Sequence, residues 1–415
     1  MTRLAAISPA RRMTRDGVLL CLSAFFADLG YQGVAALYPL YLVFVLHAPV
    51  YWYGAVTAIA FGAGALVSYL GGLAGDRFDR KRIAIIGNCF IPLMALCGLT
   101  HVAWLSGLLF ILGWWARYFR SPPRRALLVQ VTAAGERGFA FGFLHALDIA
   151  GGMLSALAAL LSIALGWPIG LIMLGAIAPL AVSTGLLFFV RRTQLYPETT
   201  SLAQRGEAGV AGARADRTLL VCLLAGAVLY GFSFYNLGFP ILTASGGRAT
   251  TSGYELGVLA YVVYLAVSAA SGYLLGALKA SPLRSLWLLG YLPSALGSGL
   301  VGLSVLLHMN ALAFYLFIAV LGAGMGAVET FEPTLISSLV GAPTLSRGMG
   351  FLSVARAVGQ FVSNLVMGVL FSLSRSVPYF YAFASAMAAA AVLGFAEVRY
   401  SSAARAPARQ DRPGA

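Results

Sequence analysis

The sequence predicts an all-α membrane protein: twelve transmembrane helices in two pseudo-symmetric six-helix bundles. Three observations carry that expectation. Of the 415 residues, 60% are hydrophobic and only 10% charged, where soluble domains keep about a quarter of theirs charged. Apolar runs of about twenty residues, the length that crosses a bilayer, follow one another almost without pause, and none alternates with the two-residue period of a membrane strand. Hydrocarbon leaves no backbone group to water, so such runs must be helices. One long polar interval, 191–216, then divides them six and six.

The first six spans are expected at 17–46, 52–75, 83–102, 104–127, 139–165 and 169–190, forming an N-terminal bundle over 1–190. The interval 191–216 reads as a linker. Spans at 217–243, 254–278, 285–307, 311–338, 349–373 and 378–398 form a C-terminal bundle over 217–398, followed by a basic tail, 399–415. With the N-terminus inside, all of the 28 bases except Arg248, Arg356 and Arg375 fall on inside segments or inner span ends. That asymmetry places both termini in the cytoplasm and the chain in the cytoplasmic membrane, with the lipid bilayer as its surroundings. It also explains the net charge of +14 without a nucleic-acid partner. The first run is too long for a signal peptide and lacks a small-residue cleavage pattern, so it is expected to be retained. Cys21, Cys89, Cys97 and Cys222 all fall within spans and read as packing residues.

The two halves repeat. Pro123 matches Pro333 and Arg137-Gly138 matches Arg347-Gly348 at one spacing; "GFL" at 142–144 then matches 350–352, and Gly151 matches Gly359. Matches in this order indicate a duplicated six-helix unit whose copies face each other across a central cavity.

After the second span stands "GGLAGDRFDRKR", Gly71 to Arg82. Its pattern Gly72-x-x-x-Asp76-Arg77-x-x-Arg80-Lys81 resembles the signature loop of the major facilitator superfamily, with Asp79 where the usual form has glycine. Glycines at 72 and 75 would let the helix end approach its neighbour. The resemblance implies a secondary transporter working by alternating access. It also implies that Asp76 closes the cytoplasmic side by pairing with a base of its own half, Arg117 or Arg120, and with the start of span eleven near Met349. Span five, "GGMLSALAAL", lacks the Gly-Pro pair of drug/proton exporters, and "RYFRSPPRR" in span four carries over Arg117 alone.

Ionisable residues inside spans are functional candidates. Asp28 sits mid-span in "FFADLGYQG", with Tyr31 and Gln32 one turn on; a lone carboxylate there suits a proton or substrate site. Asp148 has His145 on the same helical face. Arg356 aligns with Asp148 in the repeat, and Gln360 and Asn364 extend its polar face. Glu329 and Glu332 precede Pro333, and Arg356 is expected to pair with one or the other, while Asp148 is expected to meet His145 or a base across the halves. His47, His101 and His308 fall at outer helix ends, suited to solvated loops or to sensing outside acidity. Trp52, Trp104 and Trp167 fit the outer interface; Trp114 and Trp115 lie deeper, for packing.

These residues support proton-linked movement, most simply export, of a small organic or drug-like compound by a monomer. Two alternatives remain open: a carrier of a metal ion or anion, using Asp28, Asp148 and His145 as hard ligands or Arg356 as an anion clamp, and a non-transporting sensor or assembly factor. No ATP-binding glycine loop or nucleophile motif is present, so neither an enzyme nor a primary pump is expected, and no cofactor or resident metal.

Overall fold

The computed structural model describes residues 13–133, 136–192, 210–276, 281–339 and 345–405. Among them, ten helices are long and apolar enough to cross a membrane. Five lie in the first half: α1 (Arg15–Val45), α2 (Val50–Arg77), α3 (Arg80–Leu99), α5 (Arg137–Ala164) and α6 (Ile169–Phe188). The others are α8 (Thr251–Gly276), α9 (Pro282–Leu306), α10 (Ala311–Leu339), α11 (Leu345–Leu373) and α12 (Val377–Arg405). Two more complete the twelve: α4 (Ala103–Gln130), whose last half carries four arginines, and α7 (Val210–Gly231) with its short continuation Gly238–Ala244. An even number of crossings puts both chain ends on one face, here the terminus face; the other is the far face.

Span seven, expected unbroken over 217–243, is interrupted at 232–237. Pro240 has no N–H to return to the carbonyl of Asn236, and Gly231 and Gly238 flank the gap, so the helix cannot run through. Pro39, in α1, likewise precedes a wide π turn at Tyr41–Val45. α7 begins earlier and α12 ends later than expected; most of the predicted linker (193–209) and the tail beyond 405 lie outside the described residues.

Within the first half α1 packs on α5 and α6, and α4 on α2 and α3; in the second, α10 packs on α8 and α9, and α12 on α7 and α9. The repeat is visible at its glycines. A Cβ on Gly151 would lie 2.4 Å from the Phe25 carbonyl of α1, and one on Gly359 would lie 2.5 Å from Gly231 of α7. Equivalent helices thus cross at equivalent glycines. The halves meet along α2–α11, α5–α8 and α1 with the α7 continuation. Large apolar side chains cover the outside, among them Leu66, Tyr69, Leu161 and Leu312, as suits a lipid solvent.

Several polar residues have structural jobs. His47 and His308 take left-handed backbone conformations (φ 54° and 50°) just past the far-face ends of α1 and α9, closing those helices. Trp104 and Trp167 are exposed near the far face, while Trp114 is buried among Tyr31, Phe61, Phe110 and Tyr118. All four cysteines are free; Cys21 and Cys97 are buried.

Candidate functional site

The first half gathers its charges around α4. Arg117, Arg120 and Arg124 recur at helical spacing and turn into the bundle. Asp28 of α1 is buried; Tyr31 Oη donates to its Oδ1, and Gln32 Nε2 does so at 3.3 Å. Gln32 Oε1 in turn accepts from Tyr261 Oη of α8 at 2.7 Å, so the carboxylate is tied through one side chain to the other half. The Arg117 guanidinium lies over the rings of Tyr31, Trp114 and Tyr118 at 4.9, 5.0 and 5.5 Å, a cation–π setting that suits a weakly hydrated guanidinium. Arg120 Nη1 donates to Asn88 Oδ1, and Asn88 Nδ2 donates to Thr184 and Ser183 of α6. Arg124 faces Asp148 of α5 at 3.9 Å.

The second half holds the opposite arrangement. Arg356 of α11 donates from Nη1 to Glu329 and from Nε and Nη2 to Glu332, both on α10. Tyr291 Oη of α9 also donates to Glu332, and Tyr291 stacks on Tyr230 with centroids 4.4 Å apart. Glu332 is fully buried, whereas the Glu329 side chain is 50% exposed. Glu329 stands ten residues before the end of α10 at Leu339, about 15 Å along the helix at 1.5 Å per residue. A half-exposed carboxylate at that depth calls for water rather than hydrocarbon beside it, which an opening between the halves would supply.

Toward the far face the halves are shut. A Cβ on Gly54 of α2 would lie 2.6 Å from the Asn364 carbonyl of α11, and one on Gly62 would lie 2.4 Å from Phe361. Tyr53 Oη donates to Asn236 Oδ1 in the α7 break; Asn236 N donates to Asn364 Oδ1 at 3.0 Å, and Thr57 Oγ1 does so at 3.3 Å. This uncharged latch was missed in the sequence. Its one legible sign is the polar interruption "FSFYNLGFP" in an apolar run.

Several expectations change. Asp76 does not meet Arg117 or Arg120, which the α4 spacing turns into the bundle. It bonds Arg80 at 3.2 Å, one turn on, with its side chain 73% exposed. Gly72 is not the close-approach glycine: its nearest neighbour is 3.8 Å away, whereas a Cβ on Gly71 would lie 2.0 Å from the Phe119 carbonyl and one on Gly75 2.9 Å from Pro123. Lys81 Nζ donates to the Phe188 carbonyl at 2.9 Å, at the C-terminal end of α6, and Arg77 lies by the Phe78 ring. Asp148 meets Arg124 of its own half rather than His145, which is exposed, or a base across the halves. Among the described residues no three His, Cys, Asp or Glu side chains converge, so Asp28, Asp148 and His145 do not form a ligand set. Arg356 meets both glutamates rather than one. Gln360 is buried one turn beyond it, and the Asn364 side chain turns to α2. The side chains of Arg347 and Met349 lie outside the described residues, as does Lys279.

Two six-helix bundles, closed against each other at one face and holding buried charges within, define a membrane transporter. The family model of the Major Facilitator Superfamily matches residues 20–292. The chain belongs to that superfamily. The multidrug resistance protein MdtH of Proteus mirabilis (strain HI4320) is 35% identical over 114 residues, covering 26% of this chain and 28% of that relative. The chain thus matches well under a third of that relative's length. Among solved structures, a POT family transporter in complex with a thioalcohol-conjugated peptide superposes with a TM-score of 0.73 at 12% identity, over 94% of this chain and 96% of that one. The nucleoside transporter NupG gives 0.66 at 11% identity, over 94% and 99%. A bacterial homologue of the human lysosomal transporter Spinster, inward-facing and occupied, gives 0.64 at 16% identity, over 94% and 98%.

Proposed function

We propose that this transporter exports a small organic or drug-like solute across the cytoplasmic membrane in exchange for protons, working as a monomer, with Asp28 as the proton site. The observation that carries this reading is the hydrogen-bond chain Asp28–Gln32–Tyr261. An ionised Asp28 accepts both bonds on Oδ1 as a charged acceptor; protonation removes that charge and weakens both, since charge-assisted hydrogen bonds are the stronger ones. Taking up a proton therefore loosens a link between the halves, which is the coupling an antiporter needs. The excess of bases on inside segments supports a cytoplasmic terminus face, so the opening beside Glu329 faces inward. The multidrug resistance relative supports the direction and the class of solute. Proteoliposomes under an imposed pH gradient test it: the parent should drive solute movement with the gradient, and Asp28→Asn should reduce that coupling at least tenfold. Equal coupling in the variant would refute the assignment.

Asp76, with Arg77, Arg80 and Lys81 in the same loop, is proposed to close the inner side when the halves rock the other way, against the start of α11. Here, with that side open, it rests on Arg80. Asp76→Ala should leave the fold intact and raise labelling of a cysteine placed in the inner opening; unchanged labelling would remove the gate.

A further inference from the structure

We propose that the arginine face of α4 is an anion subsite: Arg124 docks a carboxylate or phosphate group of the transported solute in the place that Asp148 holds here. This rests on the transporter reading above and adds the chemistry of one end of the solute.

Charge balance is the first argument. Arg117, Arg120 and Arg124 face Asp28 and Asp148, three bases against two acids, and Arg120 is met only by the neutral amide of Asn88. A surplus positive charge enclosed in a membrane protein calls for an anion. The second argument is unmet donors. Arg124 is buried, yet among the described residues its Nε and Nη1 have no acceptor; Arg117 Nε and Arg120 Nε also lack one there, and Asp148 Oδ1 has no donor. At 3.9 Å the Arg124–Asp148 contact is an ion pair beyond hydrogen-bond length. Arg356, the sequence's own candidate for an anion clamp, is by contrast fully engaged by Glu329 and Glu332.

The third argument is access. The Asp148 side chain is 26% exposed, so the pair borders the opening. Arg125, exposed on the next position of α4, lies near enough to Asp148 and to Glu329 across the gap to feel both charges. A solute anion entering the opening meets Arg125 first and Arg124 behind it. A guanidinium offers two parallel donors, the match for a carboxylate or phosphate.

The exchange balances. The incoming anion takes the place of the Asp148 carboxylate on Arg124, and Asp148, whose side chain is part exposed, turns to water. Of the acids around the pair, Asp148 is the one that contacts Arg124.

Calorimetric titration of the full chain in nanodiscs tests this with benzoate, phenyl phosphate and benzylammonium at pH 5.5 and 7.5. The expected result is binding of benzoate or phenyl phosphate at both pH values, with benzylammonium weaker than either. The anion preferred tells carboxylate from phosphate. Asp148→Asn, which no longer competes for Arg124 with a charge, should bind the anion more tightly than the parent does. Arg124→Gln should abolish binding while Arg124→Lys keeps part of it, each checked for a cooperative melting profile. Binding indifferent to Arg124→Gln, a preference for the cation, or no anion binding by folded parent at either pH overturns the subsite. Because this titration reads no flux, a carrier that moves a cation against protons would keep the transporter reading and defeat this one.

Discussion

In the second half one arginine, Arg356, is held by two carboxylates and a tyrosine-backed network; in the first, three arginines on one helix share two carboxylates, and four of their nitrogens have no acceptor among the described residues. Both clusters stand on corresponding helices, α10–α11 and α4–α5, and Arg356 occupies the repeat position of Asp148. Duplication kept the places of the charges and reversed their signs. The second cluster is closed on itself, while the first keeps donors unmet. Unpaired buried charge costs stability, so where it persists a ligand or proton has reason to complete it, and on the subsite proposed above that half does the binding.

The strongest way to break this comparison is to remove one arginine from each side. Arg356→Gln leaves the enclosed Glu332 without its partner and should cost about 3–5 kcal/mol, the usual loss when one member of a buried pair is removed. Arg124→Gln breaks a looser pair, 3.9 Å long, whose Asp148 partner is 26% exposed and can be hydrated, and should cost less, about 1 kcal/mol. Thermal unfolding of both variants in nanodiscs decides; equal losses would mean that the two clusters are both structural.

The membrane spans, the two-half plan and the Arg356–Glu329–Glu332 pairing were legible because each follows from one-dimensional rules: run length, a repeat spacing, and opposite charges at matched depth. The Asp28 surroundings were half legible. Tyr31 and Gln32 lie within a helical turn, but Tyr261 comes from 229 residues away. Arg124–Asp148 was misassigned because periodicity tells that Arg120 and Arg124 share a face, not which helix that face meets. Counting them with the bases at inner span ends followed from their closeness to that end. The far-face latch was hard to read for another reason: Thr57, Asn236 and Asn364 carry no charge, and although Asn364 was marked as part of a polar face, nothing joins it to the other two until three helices bring them together.

That latch is one place where the halves touch, and it sharpens the comparison by weakening their contact without touching either cluster. Asn364→Leu deletes the acceptor for both Asn236 N and Thr57 Oγ1. At about 1 kcal/mol per hydrogen bond, the closed far face should lose about 1–2 kcal/mol, near a tenfold shift toward opening there. Labelling of a Tyr254→Cys reporter from the far side should rise accordingly. The rise should be the same at pH 6 and pH 8, because no latch member is ionisable in that range; a pH-dependent rise would mean that the buried clusters, not the latch, set the closure.

The smallest expected effect lies in the loop after α2, where the halves differ again: the first has Asp76 and Asp79, the corresponding "GALKASPLR" has no acid. Asp79, the departure from the signature loop, caps α3 by accepting from Arg82 N at 2.9 Å and binds Arg192 at 2.6 Å just past α6. Arg192 itself has a left-handed backbone (φ 56°). Partial burial pushes the Asp79 carboxyl up, but the Arg82 amide and the Arg192 guanidinium outweigh it and hold it below its ordinary range. A carboxyl depressed by folding contributes stability that is present above its unfolded pKa, about 3.9, and fades as pH falls through the folded value. Asp79→Ala should therefore cost about 1 kcal/mol at pH 7, the usual worth of an N-cap. Asp79→Asn, which can still accept from the Arg82 amide but carries no charge for Arg192, should cost less. The difference between parent and Asp79→Asn should shrink when melting is followed from pH 6 down to pH 3. A gap that stays constant over that range would show that the cap alone matters and that Arg192 is held by something other than charge.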